Sequence, residues 1–378
     1  MKSRGDDFLL SRAVELAERG RYTVSPNPMV GAVVARGRRV LAEAWHRRAG
    51  GPHAEPAALS RAGSRARGAD LHVSLEPCVH FGRTPPCVPA IVEAGVARVF
   101  VAARDPNPAV SGRGIRALRR AGIPVVEAGP VLRRRAEQQN EKFRTWIRER
   151  RPFVLAKWAV TLDGKTAAAS GESRWITGKA ARLRALLLRE EFDAVLVGSG
   201  TVLADDPQLT RRLGKAGLRP HRRIVIDGRL RVPPSARVFR GPEDALVVTA
   251  RPENDARVRR LAARGIEVWS LPGEDGGVDL DRMLSRLAQS DVTSLLVEGG
   301  ARTLWSFFGA GRVDRVAVFF APRVLGGSGA PGGVGGGGFA LEETPRVVDV
   351  EHERLGDDWL VTGRVERAGP RSGARPPR

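Results

Sequence analysis

An α/β fold in two domains is what this sequence predicts, on three observations. Apolar runs of strand length alternate with helix-compatible segments, the rhythm of a sheet covered by helices, and the rhythm resumes in the second half. Between the halves a charged, helix-compatible stretch, 130–149, ends at Arg150-Arg151-Pro152, a natural break before the apolar run Phe153-Val154-Leu155-Ala156. The length, 378 residues, exceeds the ~250–300 that a single core supports. The expected domains are 1–149 and 150–367, followed by a disordered basic tail, 368–378, rich in Arg, Pro, Ser and Gly.

Taken in order, Asp6 or Asp7 caps a first helix with Leu9, Leu10, Ala13, Leu16 and Ala17 among its apolar positions and Gly20 as its stop. Residues 30–34 and 40–45 read as neighbouring strands joined at Arg36-Gly37-Arg38. His53 falls at the start of a helix. Residues 71–75 and 99–102 are strand-like, and 86–94 and 112–121 helix-like. After the break, a strand over 153–159 is followed by further strands at 194–197, 223–226, 245–249, 294–297 and 316–320, again interleaved with helices. Such sheets present their ligands at strand and helix ends. The glycine-rich run 326–338 is expected to be a mobile loop, with an ordered loop beside a ligand as the alternative, and no chemistry is assigned to it.

The chain's only cysteines, Cys78 and Cys87, each follow a proline and lie downstream of His53-Ala54-Glu55. A catalytic zinc takes three protein ligands at ~2.0–2.3 Å and keeps a fourth position for water. His53, Cys78 and Cys87 are such a set. Glu55 is then free to move protons. Zinc deaminases of nucleobases divide the labour in this way: the metal activates water for attack on a ring carbon, and a glutamate that is not a ligand acts as general acid and base. The alternative is a structural zinc knot with Glu55 as an ordinary surface carboxylate, but structural sites take four protein ligands. One zinc per chain is expected, since no second cluster is visible.

Nucleic-acid-editing deaminases carry a P-C-x-x-C pair. Here eight residues, Val79-His80-Phe81-Gly82-Arg83-Thr84-Pro85-Pro86, separate the cysteines. Together with Pro26-Asn27-Pro28-Met29-Val30-Gly31 and Asp105-Pro106-Asn107-Pro108, this stretch closely resembles the pyrimidine deaminase half of bacterial bifunctional riboflavin-biosynthesis proteins. Lys157, Leu162-Asp163-Gly164-Lys165-Thr166-Ala167, Trp175-Ile176-Thr177, Thr201-Val202-Leu203-Ala204-Asp205-Asp206-Pro207 and Val297-Glu298-Gly299-Gly300 look like the reductase half, in consistent order. The resemblance implies a cytidine-deaminase-like three-layer domain followed by a dihydrofolate-reductase-like α/β domain. The absence of a G-x-G-x-x-G opening a helix agrees, because Gly198-Ser199-Gly200 carries only part of that fingerprint. The implied chemistry is zinc-dependent hydrolytic deamination of 2,5-diamino-6-(5-phosphoribosylamino)pyrimidin-4(3H)-one. NADPH-dependent reduction of the ribosyl group of 5-amino-6-(5-phosphoribosylamino)uracil to ribityl follows.

By the same matching, Asn27, His46, Arg83, Asp105 and Asn107 surround the pyrimidine and its ribose phosphate. The amides suit a pyrimidine edge, and His46 and Arg83 suit phosphate. In the second half Lys157, Ser173, Arg189, Leu209, Arg212 and Glu298 match substrate contacts. Lys157, in an apolar strand, either snorkels to water or faces substrate, and Glu298 has helix capping as its alternative. Ala159, Trp175, Thr201 and Asp205 match cofactor contacts. Gly300-Ala301-Arg302-Thr303-Leu304-Trp305-Ser306 resembles the loop and helix start that cradle dinucleotide phosphate, where backbone amides favour anions. Gly228 stands where relatives commonly have serine, so a side-chain contact is missing there. His72 alternates with apolar residues and reads as structural.

A composition of 42% hydrophobic and 5% aromatic residues is that of a globular protein. The first residues lack the apolar segment of a secretory signal, and no run approaches the ~18 apolar residues that cross a bilayer, so the cytoplasm is the expected compartment and no membrane partner is expected. A homo-oligomer is expected. The formal charge of +21 would fit a nucleic-acid binder. Its arginines are dispersed through both halves, however, and read as a solvated surface whose potential also favours phosphorylated ligands in a cleft. A nucleic-acid editor would also need the short cysteine spacing and leaves 153–320 without a purpose. A non-enzymatic zinc-stabilised binder would hold metal without releasing ammonia.

Overall fold

The computed structural model describes residues 4–82, 84–213, 221–241, 244–274 and 276–366. They form two compact units, one through Arg151 and one from Pro152. The expected tail at 368–378 lies outside the described residues.

The first unit runs α1 Arg4–Ala17, β1 Gly31–Arg36, β2 Arg39–Trp45, α2 Ala54–Ala62, β3 Asp70–Leu75, α3 Cys87–Ala94, β4 Arg98–Ala103, α4 Arg113–Arg120, β5 Val125–Glu127, α5 Pro130–Gln139 and α6 Glu141–Glu149. Its sheet has the order β2-β1-β3-β4-β5, with β1 antiparallel to β2 and β3, and β3, β4 and β5 mutually parallel. On one face Ala54, Ala58, Leu59, Ile91 and Leu118 pack on Val34, Leu71, Val73 and Val99. On the other, Leu10, Val14 and Ala136 pack on Leu75, Phe100 and Ala102. Helices on both faces make three layers, and β3 is buried along its whole length as central strands of such sheets are.

Two local expectations change. Helix α1 already begins at Arg4, so Asp6 and Asp7 sit within its first turn, where their charge complements the helix dipole, instead of capping it. The stretch 130–149 is two helices parted at Asn140, whose buried amide donates to Met29 O at 2.9 Å and accepts from Met29 N at 2.8 Å. That pair fixes the loop leading into β1.

The second unit runs β6 Phe153–Thr161, α7 Lys179–Glu190, β7 Ala194–Gly198, α8 Ser199–Asp205, β8 Arg222–Ile226, β9 Ala245–Thr249, α9 Ala256–Ala262, β10 Glu267–Ser270, α10 Leu280–Gln289, β11 Ser294–Val297, α11 Ala301–Gly309, β12 Arg315–Ala321, β13 Arg346–Leu355 and β14 Asp358–Glu366. The sheet order is β10-β9-β8-β7-β11-β6-β12-β14-β13. From β10 to β12 the strands are parallel, and β14 joins antiparallel to both β12 and β13. Leu284, Leu287, Leu304 and Phe307 cover one face and Leu188 and Val202 the other, so the central strands are apolar on both sides. The run 326–338 takes the ordered alternative, not the mobile one. Thr166 N donates to Pro331 O at 2.9 Å, Gly335 N donates to Ala301 O at 3.1 Å, and Gly336 (φ +83°) lies so close over the Trp305 ring that a Cβ would collide with it.

Close packing of β1 on α1 also depends on one glycine, since a Cβ at Gly31 would collide with Ala13 O and come within 2.8 Å of Ala17 N. Gly31→Ala therefore destabilises the first unit by ~1–3 kcal/mol, the usual cost of overpacking. Urea unfolding followed by circular dichroism checks this as a lowered midpoint.

Candidate active sites

The first site is built where elements begin and end on one side of the first sheet. His53 is the residue before α2, in extended conformation, and Cys87 is the first residue of α3. Cys78 lies in the turn after β3, and its carbonyl accepts from Cys87 N at 3.1 Å. The turn thereby brings the three donors together: His53 Nδ1 is 3.1 Å from Cys87 Sγ and 3.6 Å from Cys78 Sγ, and the two sulfurs are 3.6 Å apart. Thr84 Oγ1 lies 2.9 Å from His53 Nε2, so the outer ring nitrogen has a partner and the inner one faces the sulfurs. One imidazole and two thiols converging from three elements fit a zinc ion in chemistry and in spacing. Hydrogen bonds from Cys87 and His53 pull the Cys78 thiol down, so a thiolate is readily available.

Glu55, in the first turn of α2, is 3% exposed, and its Oε2 has no hydrogen-bond partner. Burial pushes its carboxyl up to about 7, against the pull of His53. A buried acid with a spare oxygen beside the donor set can hold or release a proton near neutrality.

Asn27 and His46 meet at 3.0 Å, and His46 Nδ1 is 3.0 Å from Pro52 O, so the ring donates there and accepts from the Asn27 amide. The His46 and His53 rings are 5.4 Å apart, which places this pair beside the donor set. Asp105 and Asn107 share the turn after β4, where Asp105 Oδ1 accepts from Asn107 N at 2.8 Å. Burial raises the Asp105 carboxyl to about 7. Arg83 lies outside the described residues. His72 is buried in β3 and stacks on Phe100 at 4.5 Å, away from solvent.

The second site is a cavity of about 1830 Å³ in the second unit. Every residue expected there lines it: Lys157 and Ala159 from β6, Ser173 and Trp175 from the following loop, Arg189 from α7, Thr201 and Asp205 from α8, Leu209 and Arg212 beyond it, Glu298, and Gly300 through Ser306. Lys157 is half-buried with its Nζ 5.7 Å from the centre of the Phe319 ring. Gly300 is the residue before α11 and Glu298 is not its cap. Instead Glu298 pairs with Arg189 through two hydrogen bonds, Nε–Oε1 at 3.0 Å and Nη2–Oε2 at 2.9 Å. Burial alone would raise the Glu298 carboxyl, but Arg189 and then Lys157 hold it at about 2. The Arg189 fork, expected to face phosphate, is thus directed at a carboxylate.

Sequence reasoning missed Thr84 and Asn140 in the first unit, and Trp158, Arg229, Arg231 and Leu280 along the cavity. It also missed Glu76, 3% exposed, whose carboxylate accepts from the backbone of Asp105, Gly112 and Ile115. Its place one residue before Pro77-Cys78 was the available signal.

Comparison with known proteins finds matches for both units. The RibD C-terminal domain matches residues 152–361, and the cytidine and deoxycytidylate deaminase zinc-binding region matches residues 3–103. The riboflavin biosynthesis protein RibD of Aquifex aeolicus is 43% identical over 356 residues, covering 94% of this chain and 97% of that protein. The chain belongs to the RibD family. Among solved structures, Acinetobacter baumannii RibD (form 1) matches with a TM-score of 0.85 at 34% identity, covering 96% of this chain and 99% of that one. A Thermotoga maritima protein described as a diaminohydroxyphosphoribosylaminopyrimidine deaminase/5-amino-6-(5-phosphoribosylamino)uracil reductase matches at 0.82 and 36% identity, over 96% and 99%. The first unit is accordingly cytidine-deaminase-like and zinc-binding, and the second is a dihydrofolate-reductase-like RibD reductase that uses NADPH.

Removal of the Thr84 hydroxyl leaves His53 Nε2 without its partner, and outer partners of metal-binding histidines are typically worth ~10–100-fold in affinity. Thr84→Val is expected to weaken zinc binding by that factor, read by competition with a chromophoric chelator.

Proposed function

We infer that the chain carries out two consecutive steps of riboflavin biosynthesis, deamination in residues 1–149 and reduction in 150–367. The first removes the pyrimidine C2 amino group of 2,5-diamino-6-(5-phosphoribosylamino)pyrimidin-4(3H)-one as ammonia. The second reduces the ribosyl group of 5-amino-6-(5-phosphoribosylamino)uracil to ribityl. The reading is supported above all by the presence, in one RibD-family chain, of a His-Cys-Cys donor set beside a buried carboxyl and of a cavity lined by all the expected reductase contacts.

For deamination, His53, Cys78 and Cys87 hold the zinc. When bound, the ion supplies Lewis acidity, which lowers the pKa of water from 15.7 to about 7. Glu55, with its carboxyl at about 7, takes a proton from the attacking water and delivers protons to the ring nitrogen and the departing amine. Asn27 and Asn107 orient the pyrimidine edge. His46, Arg83 and Asp105 hold the remainder of the substrate.

For reduction, NADPH supplies the hydride, and the protein's task is to hold the nicotinamide and the ribose carbon in contact. Ala159, Trp175, Thr201, Asp205 and the 300–306 loop would receive the cofactor, and backbone amides at the start of α11 would suit its phosphates. Lys157, Ser173, Arg189, Leu209, Arg212 and Glu298 receive the substrate. The Arg189–Glu298 pair and Lys157 offer charged groups that suit the ribose hydroxyls.

We place the chain in the cytoplasm, where thiols remain reduced for metal binding, and propose a homo-oligomer without a nucleic-acid partner. Among the described residues no helix is long and apolar enough to cross a membrane.

Glu55→Gln is expected to keep zinc while slowing ammonia release by ~10²–10⁴-fold, the usual contribution of general acid-base catalysis. Elemental analysis and an ammonia assay on the same preparation separate the two, and a wild-type rate would remove Glu55 from proton transfer. Lys157→Ala is expected to impair NADPH oxidation and leave ammonia release intact. Normal reductase kinetics in that variant would return Lys157 to a structural role.

A further inference from the structure

Residues 206–213 form one wall of the reductase cavity, with Asp206, Pro207, Gln208, Leu209 and Arg212 in its lining. The backbone of this wall is strained. Leu209 has φ +56°, the left-handed region that a bulky side chain avoids, four residues after α8 ends at Asp205. Conformations of this kind persist where the surroundings over-determine them, and they gather at ligand sites.

Two buried polar side chains, neither of them in the cavity lining, over-determine this one. His221, 1% exposed, directs Nε2 at Leu209 O at 2.5 Å. Burial pushes its imidazole down to about 4, so at neutral pH the ring is uncharged and its one N–H is held by that carbonyl. Glu190, also 1% exposed, accepts through a single Oε1 from Arg212 N at 3.2 Å and from Leu213 N at 3.4 Å. Between these bonds Arg189 Nη1 donates to Thr210 O at 3.2 Å, so the side chain that grips Glu298 also grips the wall. A carboxylate and an imidazole in a core cost free energy that an apolar pair of the same volume would not. Glu190 Oε2 also lies 4.0 Å from Arg211 Nε, so the carboxylate holds the wall through a side chain as well as through its amides.

We propose that Glu190 and His221 are positioning residues for the reduction, holding the strained backbone of 209–213 so that Leu209 and Arg212 are presented to the phosphoribosylated substrate. The proposal rests on the reading of Leu209 and Arg212 as substrate contacts. Each residue acts through the wall, so loss of either loosens substrate binding and leaves the cofactor cradle at 300–306 as it was.

The test uses the full-length, zinc-loaded chain, with 5-amino-6-(5-phosphoribosylamino)uracil and NADPH for the reduction and 2,5-diamino-6-(5-phosphoribosylamino)pyrimidin-4(3H)-one for ammonia release. Glu190→Asp keeps the charge but withdraws the oxygen by one methylene, His221→Leu removes the donor, and His221→Gln can return an N–H to the Leu209 carbonyl. Glu190→Asp and His221→Leu are expected to raise the substrate KM roughly tenfold, in keeping with the loss of a buried hydrogen bond. The NADPH dissociation constant, read by fluorescence without substrate, and the rate of ammonia release should not change. His221→Gln should restore most of the loss. An unchanged KM in Glu190→Asp overturns the proposal even if His221→Leu fails to fold. So does a joint rise in substrate KM and NADPH dissociation constant with a lowered melting temperature, because a merely structural role has that signature. Arg212→Ala separates the two levels: an unchanged KM there defeats the substrate reading itself.

Discussion

The geometry of the deaminase site depends on one buried carboxylate, that of Glu76. Left unpaired in the interior it would cost several kcal/mol, and it is satisfied by backbone amides at Asp105 (3.3 Å), Gly112 (2.9 Å) and Ile115 (3.1 Å). Glu76 directly follows β3 and opens the turn that carries Cys78, while the amides belong to the turn after β4 and the start of α4. Adjacent parallel strands alone would set these turns side by side. The carboxylate also fixes their register, so that Cys78 and the Asp105–Asn107 turn cannot shift independently. Its charge is favourable at the start of α4 as well, where helix dipole and free amides both welcome an anion.

The reductase cavity is organised by charge that is paired and buried. Arg189 and Glu298 come from α7 and from the turn after β11, and both are about one-tenth exposed. A pair of this kind adds little to stability, because desolvation offsets much of the attraction, but breaking it leaves an uncompensated charge. It therefore enforces one arrangement of two elements that both border the cavity. The glycine-rich run has an analogous effect at the other end of the cavity. Its backbone bonds to Thr166 and Ala301 draw it against β6's following turn and the start of α11, next to the Trp305 indole.

What was legible in the sequence follows from what chemistry leaves no freedom to vary. Zinc accepts few side chains, and a chain with only two cysteines makes His53, Cys78 and Cys87 readable. Central parallel strands such as β7 and β11 are apolar on both faces and stand out as runs. The hairpin of β13 and β14 was not anticipated, because β13 is exposed over nearly its whole length and Arg346, Glu351, His352, Glu353 and Arg354 carry no apolar alternation. The short strands β5 and β10 were missed for the related reason that three or four residues give no period to detect. Glu76, Thr84 and Asn140 were invisible in another way: each is an ordinary polar residue until folding chooses its partner. The glycine run misled because composition reports backbone freedom and is silent about the indole ring that requires the absence of a side chain.

The basic excess of +21 also divides into parts once partners are known. Many arginines are held by carboxylates, as in Arg12–Glu43, Arg98–Asp70, Arg104–Glu127 and Arg312–Asp281. Others lie over tryptophan rings: Arg19 and Arg47 both lie 4.8 Å from Trp45, and Arg286 lies 4.3 Å from Trp269. These are local structural uses of the charge. A further set, including Arg182, Arg212, Arg229, Arg231, Arg237 and Arg302, borders the reductase cavity. Of the six carboxylates there, Glu298 is paired with Arg189, Asp281 with Arg312 and Asp205 with Arg174, while Asp206, Asp227 and Asp279 accept from the backbone amides of Arg237, Val232 and Arg282, and nine basic side chains line the same cavity. The cavity consequently keeps a positive potential, and low-dielectric walls concentrate it. On the proposed function, a cofactor with three phosphates and a substrate with one would share that space, and the surplus positive charge would offset their mutual repulsion.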